Sequence, residues 1–174
     1  LQKLRGMFAL ALIDSGTGTL FLARDAAGQK PLFFFEGKRG LAFASEMAAL
    51  QEVPGLEREW DAVAVDQCLS TGDVPGPRTL LRDVQQLPPG HCLLQRNGHA
   101  EIRAWDEPGQ ATAGDQELSR QKVEETFERV VGEHLVSDLP VVMLLDDSPG
   151  SQFVLAVAAG VSRKPLLTCS VNCK

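Results

Sequence analysis

Apolar positions along the chain come in short runs divided by turn-forming residues. Residues 7–14 are apolar almost throughout, give way to Ser15, Gly16, Thr17 and Gly18, and return as residues 19–24, which predicts two strands and a tight turn. Residues 31–35 and 41–44, parted by Gly37 to Gly40, predict a second hairpin. Four strands in so short a stretch imply an antiparallel sheet. Their near-continuous apolar character predicts cover on both faces, and hence a layered architecture. Ser45 is placed to cap a short helix through Leu50.

From Asp61 onward, Ala62, Val65, Cys68 and Leu69 fall on one helical face that ends near Gly72. Turn formers then crowd residues 72–77 and recur as Pro88, Pro89 and Gly90. Residues 79–81 and 91–95 predict short strands, with Asn97-Gly98 as a hairpin turn. Residues 106–114 are rich in Pro, Gly, Ala and Thr without periodicity and predict a linker. Beyond it, Asp115 is placed as an N-cap and Glu117 falls in the first turn. Leu118, Val123, Phe127, Val130, Val131 and Leu135 form an apolar stripe, and Glu125 and Arg129 are spaced to pair, so the expected helix is about twenty residues long. Residues 141–145 predict a buried strand, residues 146–150 a turn into a helix through Ala159, and residues 165–171 a second buried strand. This order is that of a βαβ unit entering a doubly wound parallel sheet.

Composition narrows the class. With 174 residues, 44% hydrophobic and 23% charged, the chain suits one ordinary domain or parts of two, and it excludes a disordered tail, a collagen-like repeat or a disulfide mini-protein. A net charge of −6 and the absence of a Lys/Arg run argue against a nucleic-acid partner. Lys3 and Arg5 before residues 7–13 superficially resemble a secretory signal, but the apolar run is short, Asp14 ends it and no small-residue cleavage site follows, so a strand is expected. No apolar run approaches the roughly 20 residues that span a bilayer, which leads us to expect a cytoplasmic protein without a membrane partner. Three of the four cysteines, Cys68, Cys92, Cys169 and Cys173, lie in apolar stretches and are expected to be reduced; the Cys169 and Cys173 spacing is poor for a metal. The opening Leu1 and the apolar run before Lys174 suggest ends that are cut, as in the middle of a longer protein.

Particular residues carry a resemblance. The run Leu4-Arg5-Gly6-Met7-Phe8-Ala9-Leu10-Ala11-Leu12 is followed by Ala23-Arg24-Asp25-x-x-Gly28-x-Lys30-Pro31-Leu32 and Phe43-Ala44-Ser45-Glu46-x-x-Ala49-Leu50. Further blocks are Val74-Pro75-Gly76-Pro77-Arg78-Thr79-Leu80, Leu87-Pro88-Pro89-Gly90-His91, Trp105-Asp106 and Leu135-Val136-Ser137-Asp138-Leu139-Pro140. In this order they resemble the glutamine-dependent asparagine synthetases, from the second half of the glutaminase domain onward. The resemblance implies an α+β then α/β chain. Residues 1–105 would be a partial type-2 glutamine amidotransferase domain of the αββα Ntn kind with its extension, residues 106–114 a linker, and residues 115–174 the start of a doubly wound ATP-pyrophosphatase-type synthetase domain.

The family hydrolyses glutamine with an N-terminal Cys and activates aspartate with ATP and Mg²⁺, so glutamine, aspartate and ATP are the implied substrates. The nucleophile, oxyanion and glutamine-binding groups of the family lie upstream of the segment matched here, and no catalytic residue is expected in this chain. Arg24, Asp25, Lys30 and Glu46 remain as polar signature residues and are expected to be structural. In the synthetase domain the family places Ser-Gly-Gly-Leu-Asp-Ser as a nest of backbone N–H groups for pyrophosphate at a helix N-terminus. This chain carries Asp146-Asp147-Ser148-Pro149-Gly150-Ser151 there, and only Ser151 keeps its place. The two carboxylates and the missing Pro149 N–H predict loss of ATP binding; the opposing expectation is that Asp146 and Asp147 gather Mg²⁺ that bridges to phosphate. Leu144 and Val171 match the family's adenine contacts and also lie in predicted buried strands, where core packing accounts for them.

Two other readings of the residues stand beside this one. A related amide-forming synthetase, of the β-lactam synthetase or lasso-peptide cyclase kind, shares the two-domain plan, and a non-catalytic interaction module would explain the altered loop. With part of the glutaminase layer absent, the apolar residues 33–35 are expected to lack cover and to favour self-association.

Overall fold

A computed structural model describes residues 1–106 and 119–170 and divides the chain into two compact units, Leu1–Thr112 and Ala113–Lys174. The expected linker, apart from Asp106, and the expected cap at Asp115 lie outside the described residues.

In the first unit, β1 (Ala9–Asp14) and β2 (Thr19–Arg24) form the expected antiparallel hairpin, and β3 (Phe33–Gly37) and β4 (Gly40–Ala44) form a second. The two hairpins do not share a sheet, contrary to expectation. β2 pairs with β6 (His91–Arg96), which turns through Asn97 and Gly98, both at positive φ, into β7 (His99–Ala104), giving the order β1-β2-β6-β7. β3 pairs on its other side with β5 (Val84–Gln86), giving β4-β3-β5. Strand β5 lies past residues 79–81, where only an isolated bridge between Trp60 and Leu81 forms. The unit is therefore a mixed α/β structure built on antiparallel sheets.

The three consecutive phenylalanines show why the layers form. Side chains alternate across a strand, so Phe34 turns toward the first sheet and packs with Leu20, Leu22, Leu32, Leu87 and Leu93. Phe33 and Phe35 turn the other way, onto Leu50, Leu56, Leu81 and Val84. Leu50 comes from α1 (Met47–Leu50), whose N-cap is Glu46 rather than Ser45 and makes no side-chain cap bond. The expected lack of cover at residues 33–35 is thus not found: Phe34 and Phe35 are each 6% exposed. Much of their cover comes from segments distant in sequence, Leu81, Val84, Leu87 and Leu93, which periodicity does not reveal. Exposure falls instead on the edge strand β1, where Leu12 and Ile13 are open to solvent.

The second helix, α2 (Ala62–Thr71), starts on Asp61, whose Oδ1 accepts the N–H groups of Val63 and Ala64, and stops at Gly72 in the left-handed region. Its buried residue is Ala64, Val65 and Cys68 are half-buried, and Ala62 and Leu69 face solvent, so the buried face overlaps the expected one but is turned toward Ala64.

In the second unit, α3 (Arg120–His134) is capped by Ser119, which accepts the N–H of Lys122. Arg129 pairs with Glu133 and not with the expected Glu125, which accepts from Gln121. Strand β8 (Val142–Leu145), α4 (Pro149–Val161) and β9 (Leu167–Ser170) follow in the expected order, and the two strands are parallel. Phe127 of α3 meets Phe153 of α4 edge to face, with ring centroids 5.0 Å apart. One face of the two-stranded sheet stays open. Leu144 is 78% exposed, so the expected burial of β8 holds on one face only, and β9, also expected to be buried, is exposed along its whole length because, among the described residues, no helix of the unit packs on it. Among the described residues, no helix is long and apolar enough to cross a membrane.

Leu22 sits at the centre of the sandwich and is fully buried. Leu22→Ala is expected to destabilise the first unit by about 2–5 kcal/mol. Urea unfolding followed by tryptophan fluorescence measures this, because both tryptophans, Trp60 and Trp105, lie in that unit.

Candidate functional site

Two places bring the predicted residues together, one in each unit. In the first, the end of β2 carries Arg24 and Asp25, both buried. Charged groups are rarely buried unless their hydrogen-bonding capacity is filled. Here it is filled by backbone. The Arg24 guanidinium donates from Nε to the Lys30 carbonyl at 2.8 Å, from Nη1 to that of Leu87 at 2.8 Å, and from Nη2 to that of Gly28 at 2.5 Å. Asp25 accepts the N–H of Gln29 at 2.9 Å on Oδ1, and those of Lys30 at 3.0 Å and Phe8 at 3.2 Å on Oδ2.

These bonds tie the chain entering β1, the loop between β2 and β3, and the loop before β6 into one knot. The backbone joins in: Gly90 N–H donates to the Asp25 carbonyl, and the Gly90 carbonyl accepts from Trp105 and Asp106. Trp105 also donates its indole N–H to the Arg24 carbonyl at 3.1 Å and stacks on Phe8. Two glycines are required by space as well as by backbone angle. At Gly28, φ +65°, a Cβ would lie 2.7 Å from Pro89 and 3.1 Å from the Arg24 guanidinium carbon; at Gly90, φ +67°, it would collide with the Asp106 carbonyl oxygen.

Burial draws the Arg24 pKa down, and the charge of Asp25 pulls it partly back. For Asp25, burial raises the pKa, but the N–H groups of Gln29, Lys30, Phe8 and Ala27 together outweigh it and hold the carboxyl below its usual value. Of the other retained signature residues, Lys30 adds its N–H and carbonyl to the knot, while Glu46 stands exposed at the start of α1. Trp105 and Phe8 are the members that residue-type reasoning did not assign. The signal was their place inside the quoted motif blocks.

A cleft of about 880 Å³ opens beside the β3–β4 hairpin, lined by Phe34, Leu93, Ala100 and Ile102 with Lys38 and Arg82 among its charged residues. None of Arg24, Asp25, Lys30 or Glu46 lines it; the knot members Phe8 and Trp105 line a smaller cleft of about 290 Å³ together with Gln2, Leu4, Gly6, Ala26 and Asp106. Cys68, Cys92 and Cys169 are free, and burial pushes the Cys92 thiol up, opposite to the direction that creates a thiolate.

In the second unit the loop between β8 and α4 holds Asp146, Asp147 and Ser151. Asp146 Oδ1 accepts both the N–H of Ser148 at 3.1 Å and its hydroxyl at 2.6 Å. Ser148 in turn caps α4, its Oγ accepting the Ser151 N–H at 3.2 Å, while the Ser151 hydroxyl donates to the Asp146 carbonyl at 2.9 Å. The hydroxyls of Ser148 and Ser151 and the Ser148 N–H lower the Asp146 pKa to about 2. Leu144 precedes this loop with its side chain exposed, and Val171 lies outside the described residues. No group of three or more His, Cys, Asp or Glu side chains able to hold a metal forms among the described residues.

The layered unit, with its buried Arg-Asp knot, coincides with a recognised domain. A glutamine amidotransferase domain model matches residues 1–106, and the chain belongs to that family. Its similarity then runs to particular enzymes. The chain is 29% identical over 177 residues to the glutamine-hydrolysing asparagine synthetase 3 of Bacillus subtilis, covering 98% of this chain and 29% of that protein. To asparagine synthetase 1 of the same organism it is 30% identical over 159 residues, covering 90% and 25%. To a putative asparagine synthetase of Mycobacterium tuberculosis it is 46% identical over 93 residues, covering 52% and 14%. The branch is that of the glutamine-dependent asparagine synthetases, and the chain spans less than a third of each of these relatives.

Asp25→Ala strips the acceptor from three backbone N–H groups and is expected to cost on the order of 3 kcal/mol, since an unmet buried donor costs about 1–3 kcal/mol. Asp25→Asn supplies the sign test. A carboxyl with a depressed folded pKa stabilises the protein above its unfolded value and loses that contribution as pH falls through the folded value. The stability gap between wild type and Asp25→Asn should therefore narrow as pH drops below about 3.8, the ordinary carboxyl value. Urea midpoints measured from neutral to acid pH check this.

Proposed function

We propose that the chain is a portion of an ATP-dependent, glutamine-hydrolysing asparagine synthase that serves asparagine biosynthesis in the cytoplasm. Residues 1–105 are the second half of an Ntn-type glutaminase layer, and residues 115–174 open a doubly wound synthetase domain of the ATP-pyrophosphatase kind. The observation that carries the reading is the knot: the motif residues Arg24, Asp25, Gly28, Lys30 and Gly90 are used together, Lys30 through its backbone, to lock three segments of one sandwich. Glutamine and aspartate are the substrates of the whole enzyme in this reading, and neither is turned over by these residues alone. Arg24 and Asp25 have their polar atoms committed to backbone, and the Cys92 thiol is shifted away from reactivity.

Self-association belongs to the same proposal, with its surface moved from residues 33–35 to the free edge of β1, where Leu12 and Ile13 are exposed. A second reading, that of a non-catalytic asparagine-synthetase-like module, is favoured by the Asp146 loop.

A segment exchange tests the main reading. Residues 7–106 placed in the matching position of the Bacillus subtilis asparagine synthetase 3 should yield a folded chimera that still forms asparagine from glutamine. A folded chimera without that activity would overturn it. The chain by itself should release no ammonia from glutamine in a coupled dehydrogenase assay, and measurable release would refute its inactivity in isolation.

A further inference from the structure

We infer that the N-terminus of α4 carries its own anion, the Asp146 carboxylate, and is closed by it to the phosphates of a nucleotide. The second unit has the architecture that would put a phosphate there: a parallel strand β8, a short loop, and a helix whose first turn points N–H groups back at the loop. A bound phosphate needs those N–H groups free and no negative charge in front of them. The second condition is not met, and among the first-turn groups only the Gly150 N–H meets the first.

The first helical residue is Pro149, which has no N–H to offer. The Ser151 N–H is taken by the Ser148 hydroxyl oxygen, and the Gln152 N–H by the Ser148 carbonyl. In the loop the Ser148 N–H is taken by Asp146 Oδ1, which also accepts the Ser148 hydroxyl. The Ser151 hydroxyl, the one group that keeps its place relative to the resembling family, is turned onto the Asp146 carbonyl. Every one of these donors thus has a partner within the loop or the helix it starts. The partner at the centre is a carboxylate whose pKa of about 2 keeps it charged throughout the neutral range.

A magnesium rescue would have to use Asp146 Oδ2 and the Asp147 carboxylate, because Asp146 Oδ1 is already committed twice. Asp147 beside it adds a second negative charge. The loop therefore imitates the liganded state of a phosphate loop with its own side chain in the ligand's role, and α4 is capped without ATP. The glutaminase reading of residues 1–106 does not depend on this loop, whereas the ATP-dependent step of the proposed synthase does, so a closed loop favours the non-catalytic reading and leaves the first unit's assignment to its own test.

Amide NMR of the ¹⁵N-labelled full chain tests the inference, with inorganic pyrophosphate plus Mg²⁺ as the first probe and ATP plus Mg²⁺ as the second. In the wild type, the Ser148, Gly150 and Ser151 resonances should stay in place up to about millimolar ligand. In the double variant Asp146→Ser, Asp147→Gly, the same resonances should move, with an apparent affinity at least about tenfold tighter. Asp146→Asn keeps an acceptor oxygen but removes the charge; it should move in the same direction, and it decides the matter if the double variant fails to fold. Micromolar wild-type binding centred on these amides would overturn the inference. So would folded variants that respond no better than the wild type.

Discussion

The first unit depends on one local fact: Arg24 and Asp25 are adjacent, opposite in charge, buried, and directed at backbone instead of at other side chains. A backbone carbonyl or N–H left unmet in the interior would cost about as much as a lost hydrogen bond. The loop between β2 and β3, the entry to β1 and the loop before β6 all bring such groups inside without a strand to pair them. One guanidinium and one carboxylate meet six of them. Gly28 and Gly90 make the arrangement possible by bringing backbone where a side chain would strike, and Trp105 closes it with its indole N–H on the Arg24 carbonyl. Removing Arg24 leaves three carbonyls unmet, and removing Asp25 leaves three N–H groups unmet, so each charge secures its own set of backbone groups.

The sandwich follows from where this knot holds the strands. Once residues 24–30 are fixed against Leu87 and Gly90, β2 is brought beside β6 and β3 beside β5, in separate sheets. Phe34 is then committed to the space between the sheets, while Phe33 and Phe35 are committed to the layer formed by α1 and residues 53–56. Each buried aliphatic or aromatic side chain contributes about 1.5–3 kcal/mol. The knot thus adds direction to a hydrophobic drive that has none of its own.

Periodicity in the sequence located most strands and helices but not their partners. The hairpins at residues 7–24 and 31–44, the Asn97-Gly98 turn and the strand–helix–strand order near the end were all readable, because each is set by local turn chemistry and side-chain alternation. Assignment of the two hairpins to one sheet failed because pairing of β2 with β6 spans some seventy residues, and alternation carries no information about which strand lies alongside. Leu69 and Leu144 were misjudged for a related reason: an apolar residue at a helical or strand position is buried only if another element reaches it, and on those faces none does. At the candidate sites, residue type predicted that Arg24 and Asp25 would be structural and that Asp146 would oppose phosphate. The bonding around Asp146 was not legible, because the hydroxyl that it holds belongs to Ser148, a residue with no evident charge or motif to mark it.

The two units treat their polar groups by the same rule with opposite materials. In the first, side-chain charges satisfy backbone atoms of distant segments; in the second, a side-chain charge satisfies the backbone and hydroxyl donors of its own loop. A binding site is a place where such satisfaction is withheld until a ligand supplies it, because a donor already paired gains little from a second partner. At neither candidate site are the named donors withheld. What these residues contribute is therefore shape and order: a sandwich pinned at one corner, and a helix started without help from a ligand. Arg24 and Asp25 hold distant segments of the sandwich in place, and Asp146, Ser148 and Ser151 order the loop that starts α4.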